Sequence, residues 1–290
     1  MSSISRIFLL AALLPLIFQL TSCKKKEEQP PAKQTRVSAT KAYEKYFGPA
    51  PTTDNGSCYA FVIYFPSARE PGKVVPFPFF TFDEGSIKKV AVERLIGGME
   101  VPAYKNEILQ PFAAGTHLLA LQQQDDVVKI DLSRGFLNTG KKYEGMLNAL
   151  VMTLTQFDGV KGVRLLSDGK ELDFAKGTLS PAPSSVRAPS PPRLLSVTAV
   201  KEKGAKNVEE VSAYFDRPVE IEELIIADKE GRPFQGELFH SVFDMAAVLK
   251  PKDPSAFKAG MPVKARWKVT DKLGRTANGD EELALEVKEH

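Results

Sequence analysis

Two periodicities of apolar positions run along this chain, separated by stretches that carry neither. Cys58–Phe65 (CYAFVIYF) is a continuous apolar, aromatic run of strand length, and Val74–Phe82 predicts a second strand broken by Pro76 and Pro78. Ser86–Met99 switches to helical spacing, with Ile87, Val90, Ala91 and Leu95 on one side and Gly97-Gly98 as a stop. Thr116–Gln122 and Val127–Leu132 flank Asp125-Asp126 as a hairpin. The clearest helix is Lys142–Phe157, where Tyr143, Met146, Leu147, Leu150, Val151 and Leu154 share a face. A last strand, Gly162–Leu166, follows Asp158-Gly159. These elements predict an α+β block, 58–174, in which two helices cover one face of a small sheet.

From residue 193 the period is two throughout. Val263, Ala265, Trp267 and Val269 alternate with Lys264, Arg266, Lys268 and Thr270; Leu195, Val197, Ala199 and later Leu283, Leu285, Val287 repeat the pattern. Asp228–Arg232 and Asp271–Arg275 share D-K-x-G-R, with a glycine free to take positive φ in a tight turn. About seven short strands over 193–290 predict an all-β, immunoglobulin-like sandwich. No Cys…Trp…Cys set accompanies them, so an antibody-type domain is excluded.

Two breaks frame these blocks. Residues 23–57 are Cys23 followed by a stretch that opens with KKKEEQPPAKQ at Lys24 and closes with FGPAPTTDNGS, polar and Pro-rich, and predict a disordered tether; Ala42–Phe47 could form a short helical turn, but an unstructured stalk is the preferred reading. Such a coil spans about 30–35 Å. Residues 175–192 are the second break, with five prolines in the sixteen residues from Gly177, and predict an extended, semi-rigid spacer.

The N-terminus is an address rather than a fold. Ile7–Leu20 is apolar except for Gln19, and as a helix it reaches about 21 Å, short of a bilayer core of about 30 Å, so 1–22 fits a secretory signal. Leu20-Thr21-Ser22-Cys23 resembles the bacterial lipobox. That resemblance implies recognition of Leu20, Thr21 and Ser22 by lipoprotein signal peptidase, and a diacylglyceryl group on the Cys23 thiol with possible N-acylation. The chain would then be exported and lipid-anchored. By the sorting signals of such proteins, Lys24 favours the periplasmic face of the outer membrane in a diderm cell.

Composition adds mainly exclusions. Among 290 residues, 39 Lys+Arg oppose 36 Asp+Glu, for a net charge of +3. No basic footprint for nucleic acid stands out, since the excess charge lies in the tether and the Pro-rich break. Two cysteines rule out a disulfide scaffold, and three histidines leave little for a His-based metal centre. Gly135–Lys142 (GFLNTGKK) matches a phosphate-binding loop at GxxxxGK, but Lys142 stands where Mg²⁺ needs Ser or Thr, so it reads as a turn and helix start. His117, His240 and His290 are isolated, Cys58 opens an apolar strand, and Asp125-Asp126 is too small a ligand set for calcium. No catalytic residue, cofactor or metal is expected, and no enzyme activity.

The first block resembles the GerMN domain, named from sporulation and germination proteins and found in other bacterial lipoproteins. VIYF (Val62–Phe65), AVERLIGGM (Ala91–Met99), PFAAGT (Pro111–Thr116), VKIDLSRGF (Val128–Phe136) and ALVMTLTQFDGVKGVRLLSDGK (Ala149–Lys170) carry the resemblance in family order. It implies a small α/β unit related to ring-building motifs of envelope rings, with no enzymatic activity. VSAYFDRPVEI (Val211–Ile221) and FKAGMPVKARWKVTDKLGRTANG (Phe257–Gly279) resemble bacterial Ig-like domains, as found beside GerMN in germination-type lipoproteins. The expectation is a non-enzymatic envelope lipoprotein that presents two interaction modules, with the membrane reached through Cys23. It would assemble with envelope proteins or itself through the polar side of helix 142–157 and the hairpin edge. The alternative is a glycan- or peptidoglycan-binding lipoprotein with exposed aromatics in a groove between the blocks.

Overall fold

The apolar run that opens the first block becomes the middle strand of a sheet. In the computed structural model, which describes residues 36–51, 57–99, 101–138, 143–241 and 243–290, β1 (Arg36–Ala39) lies parallel to β2 (Ser57–Pro66). The antiparallel partner on the other side of β2 is β3 (Val74–Thr81). From Ala60 onward every residue of β2 is buried. Pro76 and Pro78 do not break β3, because it is the outer strand of this sheet and needs no N–H on its free side.

The tether expectation ends at Arg36. Between β1 and β2 stands helix α1 (Lys41–Phe47), capped where the Thr40 hydroxyl accepts the Tyr43 N–H at 3.1 Å. Tyr43 and Phe47, one turn apart, are fully buried in the first core. Burial of two aromatic rings offsets the ordering cost that composition alone suggested this segment could not meet.

Next come α2 (Ile87–Gly97), the hairpin β4 (Leu118–Gln124) and β5 (Val127–Leu132), α3 (Tyr143–Thr155), β6 (Gly162–Ser167) and β7 (Lys170–Glu171). These strands form a second sheet, ordered β4-β5-β6-β7, with β5 and β6 parallel and joined through α3. Within 58–174 the described residues hold the two α-helices expected, α2 and α3, but two sheets where one was expected; β1 and α1 join the block from the segment read as tether. The clearest predicted helix, α3, packs against both β2 and β6. Only Glu144 on it is exposed, so its polar side is not an outer surface.

Those polar residues are used internally. β1 stops pairing at Ala39–Ala60, and beyond that point α3 supplies the missing partners of β2. Gln156 Oε1 accepts the Val62 N–H at 2.8 Å while its Nε2 donates to Val62 O, and Thr153 Oγ1 accepts the Tyr64 N–H at 3.1 Å. Buried backbone groups must be paired, and side chains do here what a strand would otherwise do.

The Pro-rich break is laid down rather than free, and a 3₁₀ turn at Pro183–Ser185 interrupts its extended course. Leu179 exchanges two backbone hydrogen bonds with Val163, and Arg187 N donates to Val74 O at 2.9 Å. It thus reaches the second block as a strap along the first.

The second block contains β8 (Leu194–Lys201), β9 (Glu210–Phe215), β10 (Val219–Ala227), β11 (Gly236–His240), β12 (Ala246–Pro251), β13 (Pro262–Asp271), β14 (Thr276–Ala284) and β15 (Glu286–Glu289). One sheet runs β11-β12-β9-β8-β15 and the other β10-β13-β14. All neighbours are antiparallel except β8 and β15. Val197, Val211 and Leu249 of one sheet share a core with Val263, Trp267 and Val269 of the other. Trp267 meets Phe215 edge-on at 5.5 Å. Opposite it on β14, Gly279 leaves the indole its space: a Cβ there would stand 2.7 Å from the ring. All described residues fall in one compact unit. Among them, no helix is long and apolar enough to cross a membrane.

Candidate functional site: the seam between the blocks

The two D-K-x-G-R turns fold alike, and the second has an extra task. In each, glycine takes a left-handed φ (Gly231 +84°, Gly274 +80°), and the aspartate accepts both the backbone N–H and the Nε–H of the arginine. Arg275 also donates from Nη2 to Tyr46 O at 2.7 Å, gripping the last turn of α1. The chain leaves α1 through Gly48, at φ +81°, where a Cβ would stand 2.9 Å from Lys272 Cβ. The helix read as part of a tether is thus a wedge between the two blocks.

Beside it lies a buried charged network. Asp216 and Arg217 sit between β9 and β10, each 4% exposed. Arg217 donates to both Asp216 oxygens, at 3.0 and 2.8 Å, and its Nη1 stands 3.6 Å from Asp271 Oδ2 with no hydrogen bond of its own. Its guanidinium lies 5.6 Å from the centre of the Phe47 ring. Tyr104, in a 3₁₀ turn (Pro102–Tyr104) of the first block, donates its hydroxyl to Asp216 Oδ2. Burial, with the Asp216 charge beside it, raises that hydroxyl above its usual range and keeps it a donor.

Arg193 completes the crossing. It makes a two-pronged pair with Glu107 at 2.8 and 2.9 Å, donates to Ala103 O at 3.0 Å, and covers the Tyr104 ring at 5.1 Å. Arg193, with Arg69 and Arg187 further off, holds the Glu107 carboxyl below its usual range. At the other end of the seam Phe80 stacks on Phe243, with ring centres 4.6 Å apart and planes 4° apart.

Between Glu107, Arg193 and the strap is a cleft of about 170 Å³, lined by Arg69, Arg187, Arg193, Arg217, Glu107 and Ser190 among others. Its aromatic residues, Phe77 and Tyr104, are each 4% exposed. A groove for stacking neutral sugars needs open rings, and this one offers guanidinium groups instead.

A second feature is the outer edge of the hairpin. β4 ends its sheet, Leu119 on it is 52% exposed, and a groove of about 750 Å³ runs beside it past Ile87, Lys89, Leu121 and Phe157.

Leu20, Thr21, Ser22 and Cys23 lie outside the described residues. So do 139–142 of the GxxxxGK stretch; its earlier part is a 3₁₀ turn, Arg134–Asn138, whose Phe136 is fully buried against Phe112. His117, His240 and His290 are all exposed. Cys58 is fully buried, and burial pushes its thiol up. Asp125 takes the left-handed turn position at φ +53°, and Asp126 pairs with Lys161. Among the described residues, no group of three or more His, Cys, Asp or Glu could hold a metal. The seam residues Tyr104, Glu107, Arg193, Asp216 and Arg217 were not singled out from sequence. The available signal was an Asp-Arg pair between two apolar strand ends in YFDRPV.

Residues 62–173 match the family model Germane, described as sporulation and spore germination. The first block is a Germane domain. Among solved structures, the block is similar to the first GerMN domain of the sporulation protein GerM from Bacillus subtilis. That likeness has 23% identity and a TM-score of 0.34, over 44% of this chain and 96% of that one. The tandem GerMN domains of the same protein match at 19% identity and a TM-score of 0.35, over 61% of this chain and 58% of theirs. No curated protein matches the chain.

Proposed function

We propose that this chain is a non-enzymatic, lipid-anchored protein of the cell envelope that presents its Germane domain for protein–protein assembly, in a sporulation- or germination-like role. The observation that carries the assembly reading is the free edge of β4. It offers unpaired backbone groups, the exposed Leu119 and an adjoining groove, which is what strand addition by a partner or a second copy requires. The polar side of α3 takes no part, since it is spent on β2. The lipobox resemblance at Leu20–Cys23 supports anchoring and export, and the Germane match supports the envelope role.

An immunoglobulin-like reading of the second block draws support from its strand order. Labelled A to G along the chain, β8–β14 give D-E-B-A in one sheet and C-F-G in the other, the order of constant-type immunoglobulin domains, with β15 added beside β8. That block, fixed at the seam, would hold the Germane edge at a set orientation above the anchor.

Sedimentation of a fragment beginning at residue 34 tests assembly. Concentration-dependent association that Leu119→Lys abolishes supports it. Association unaffected by Leu119→Lys, or a monomer that also captures no envelope protein in crosslinked cells, contradicts it.

A further inference from the structure

The seam cleft is a place where cationic donors outnumber acceptors. Its wall carries four guanidinium groups, from Arg69, Arg187, Arg193 and Arg217, and one carboxylate, Glu107. The remaining countercharges stand behind or beside it: Asp216 and Asp271 against Arg217, and Glu70 at 2.7 Å from Arg187. Arg193 spends four of its five side-chain N–H donors on Glu107, Ala103 O and the Ser190 hydroxyl at 3.3 Å. Arg69, by contrast, makes one side-chain hydrogen bond, to Glu107 Oε1 at 3.1 Å. Arg187 makes its ion pair with Glu70 and a long contact to Ser67 Oγ at 3.5 Å. Each guanidinium has five N–H donors, so both keep several unused at the mouth of the cleft.

Size and shape narrow the occupant. A volume of about 170 Å³ accommodates about five or six heavy atoms at the share of space a water takes. We propose that this cleft binds the phosphate group of a phosphate monoester. A tetrahedral phosphate offers three oxygens, enough to accept at once from Arg69, Arg187 and the Ser190 hydroxyl; a planar carboxylate offers two. The cluster already holds one anion: the Arg193 hydrogen bond, aided by the charges of Arg69 and Arg187, keeps the Glu107 carboxyl below its usual range. Placed at the seam, the bound group would touch β3 and the 3₁₀ turn of the first block, the Pro-rich strap, and Arg193 and Arg217 at the second. The site is independent of the assembly edge on β4.

The test is titration of the full chain in neutral detergent micelles with inorganic phosphate and with glycerol 3-phosphate, followed by calorimetry. Saturable binding that weakens at least tenfold in the Arg69→Gln/Arg187→Gln double variant, and is unchanged in Lys288→Gln, supports the site. Both substituted side chains are at the rim, and an unaltered melting temperature of the double variant excludes misfolding. No saturable binding overturns the proposal, as does equal binding by the double variant, or acetate competing as well as phosphate. Doping the micelles with phosphatidic acid, itself a monoester, then separates the sources: displacement of glycerol 3-phosphate points to a lipid headgroup, and its retention to a soluble monoester.

Discussion

The Gln156 carboxamide takes the place of a strand beside Val62. It accepts the Val62 N–H and donates to the Val62 carbonyl, continuing from α3 the pairing that β1 abandons two residues earlier. Its Oε1 also accepts from the Thr40 hydroxyl at 2.9 Å, so one side chain ties α3, β2 and the cap of α1 together.

Gln156→Leu should therefore cost more than a surface change. It leaves the two backbone groups of the buried Val62 without partners, at about 1–3 kcal/mol each. A loss of about 2–4 kcal/mol in urea unfolding is expected, whereas a loss under about 0.5 kcal/mol would mean water replaces the amide.

The Asp216–Arg217 pair makes an opposite prediction for single and double changes. Asp216→Ala strands a guanidinium that is only 5% exposed, together with the Tyr104 hydroxyl and the Arg193 N–H, and should cost about 3–5 kcal/mol. Replacing both, as Asp216→Leu with Arg217→Met, should recover the part due to the stranded guanidinium, while the Tyr104 hydroxyl and the Arg193 N–H stay without Asp216. Denaturation midpoints of these two variants and the unaltered chain decide the matter.

Glu107 gives the seam a pH dependence with a definite sign. Its carboxyl titrates below the usual 4.5 because Arg193 hydrogen-bonds its charged form. The stabilisation is complete above that usual value and is lost as pH falls through the lower folded value. Unfolding free energies between about pH 6 and pH 3 should fall less steeply in Arg193→Gln than in the unaltered chain. Identical slopes would show the pair is not held in solution.

Much of this architecture was legible in the sequence, where burial follows a simple period. β2, β6, α2, α3 and β13 lie within a residue or two of their expected bounds, because each buries a continuous run or one regular stripe. The α1 wedge was missed for a physical reason. Its apolar residues Tyr43, Tyr46 and Phe47 fill less than two turns, flanked by lysines and prolines, and no local signal says that a distant β-turn will grip it. The seam was illegible for a related reason: Tyr104, Arg193 and Asp216 are far apart in the chain and meet only through the packing of two blocks. The Pro-rich strap was illegible in another way, since proline content carries no sign of the backbone bonds that hold it down or of its 3₁₀ turn.

The proposed anchoring rests on Cys23. Metabolic labelling with a fatty acid should mark the full chain and leave Cys23→Ala unlabelled, with the variant moving from the membrane to the soluble fraction. Label persisting on Cys23→Ala would contradict the lipobox reading.

The central claim is that the Germane domain and the second block are one body, welded by α1 and the seam. Scanning calorimetry of a fragment beginning at residue 34 tests it most directly. One cooperative transition is predicted, displaced downward as a whole, on the order of 10 °C, by Phe47→Ala, which empties the fully buried ring site at the wedge. Two separate transitions, with only the first-block transition moved by Phe47→Ala, would contradict it.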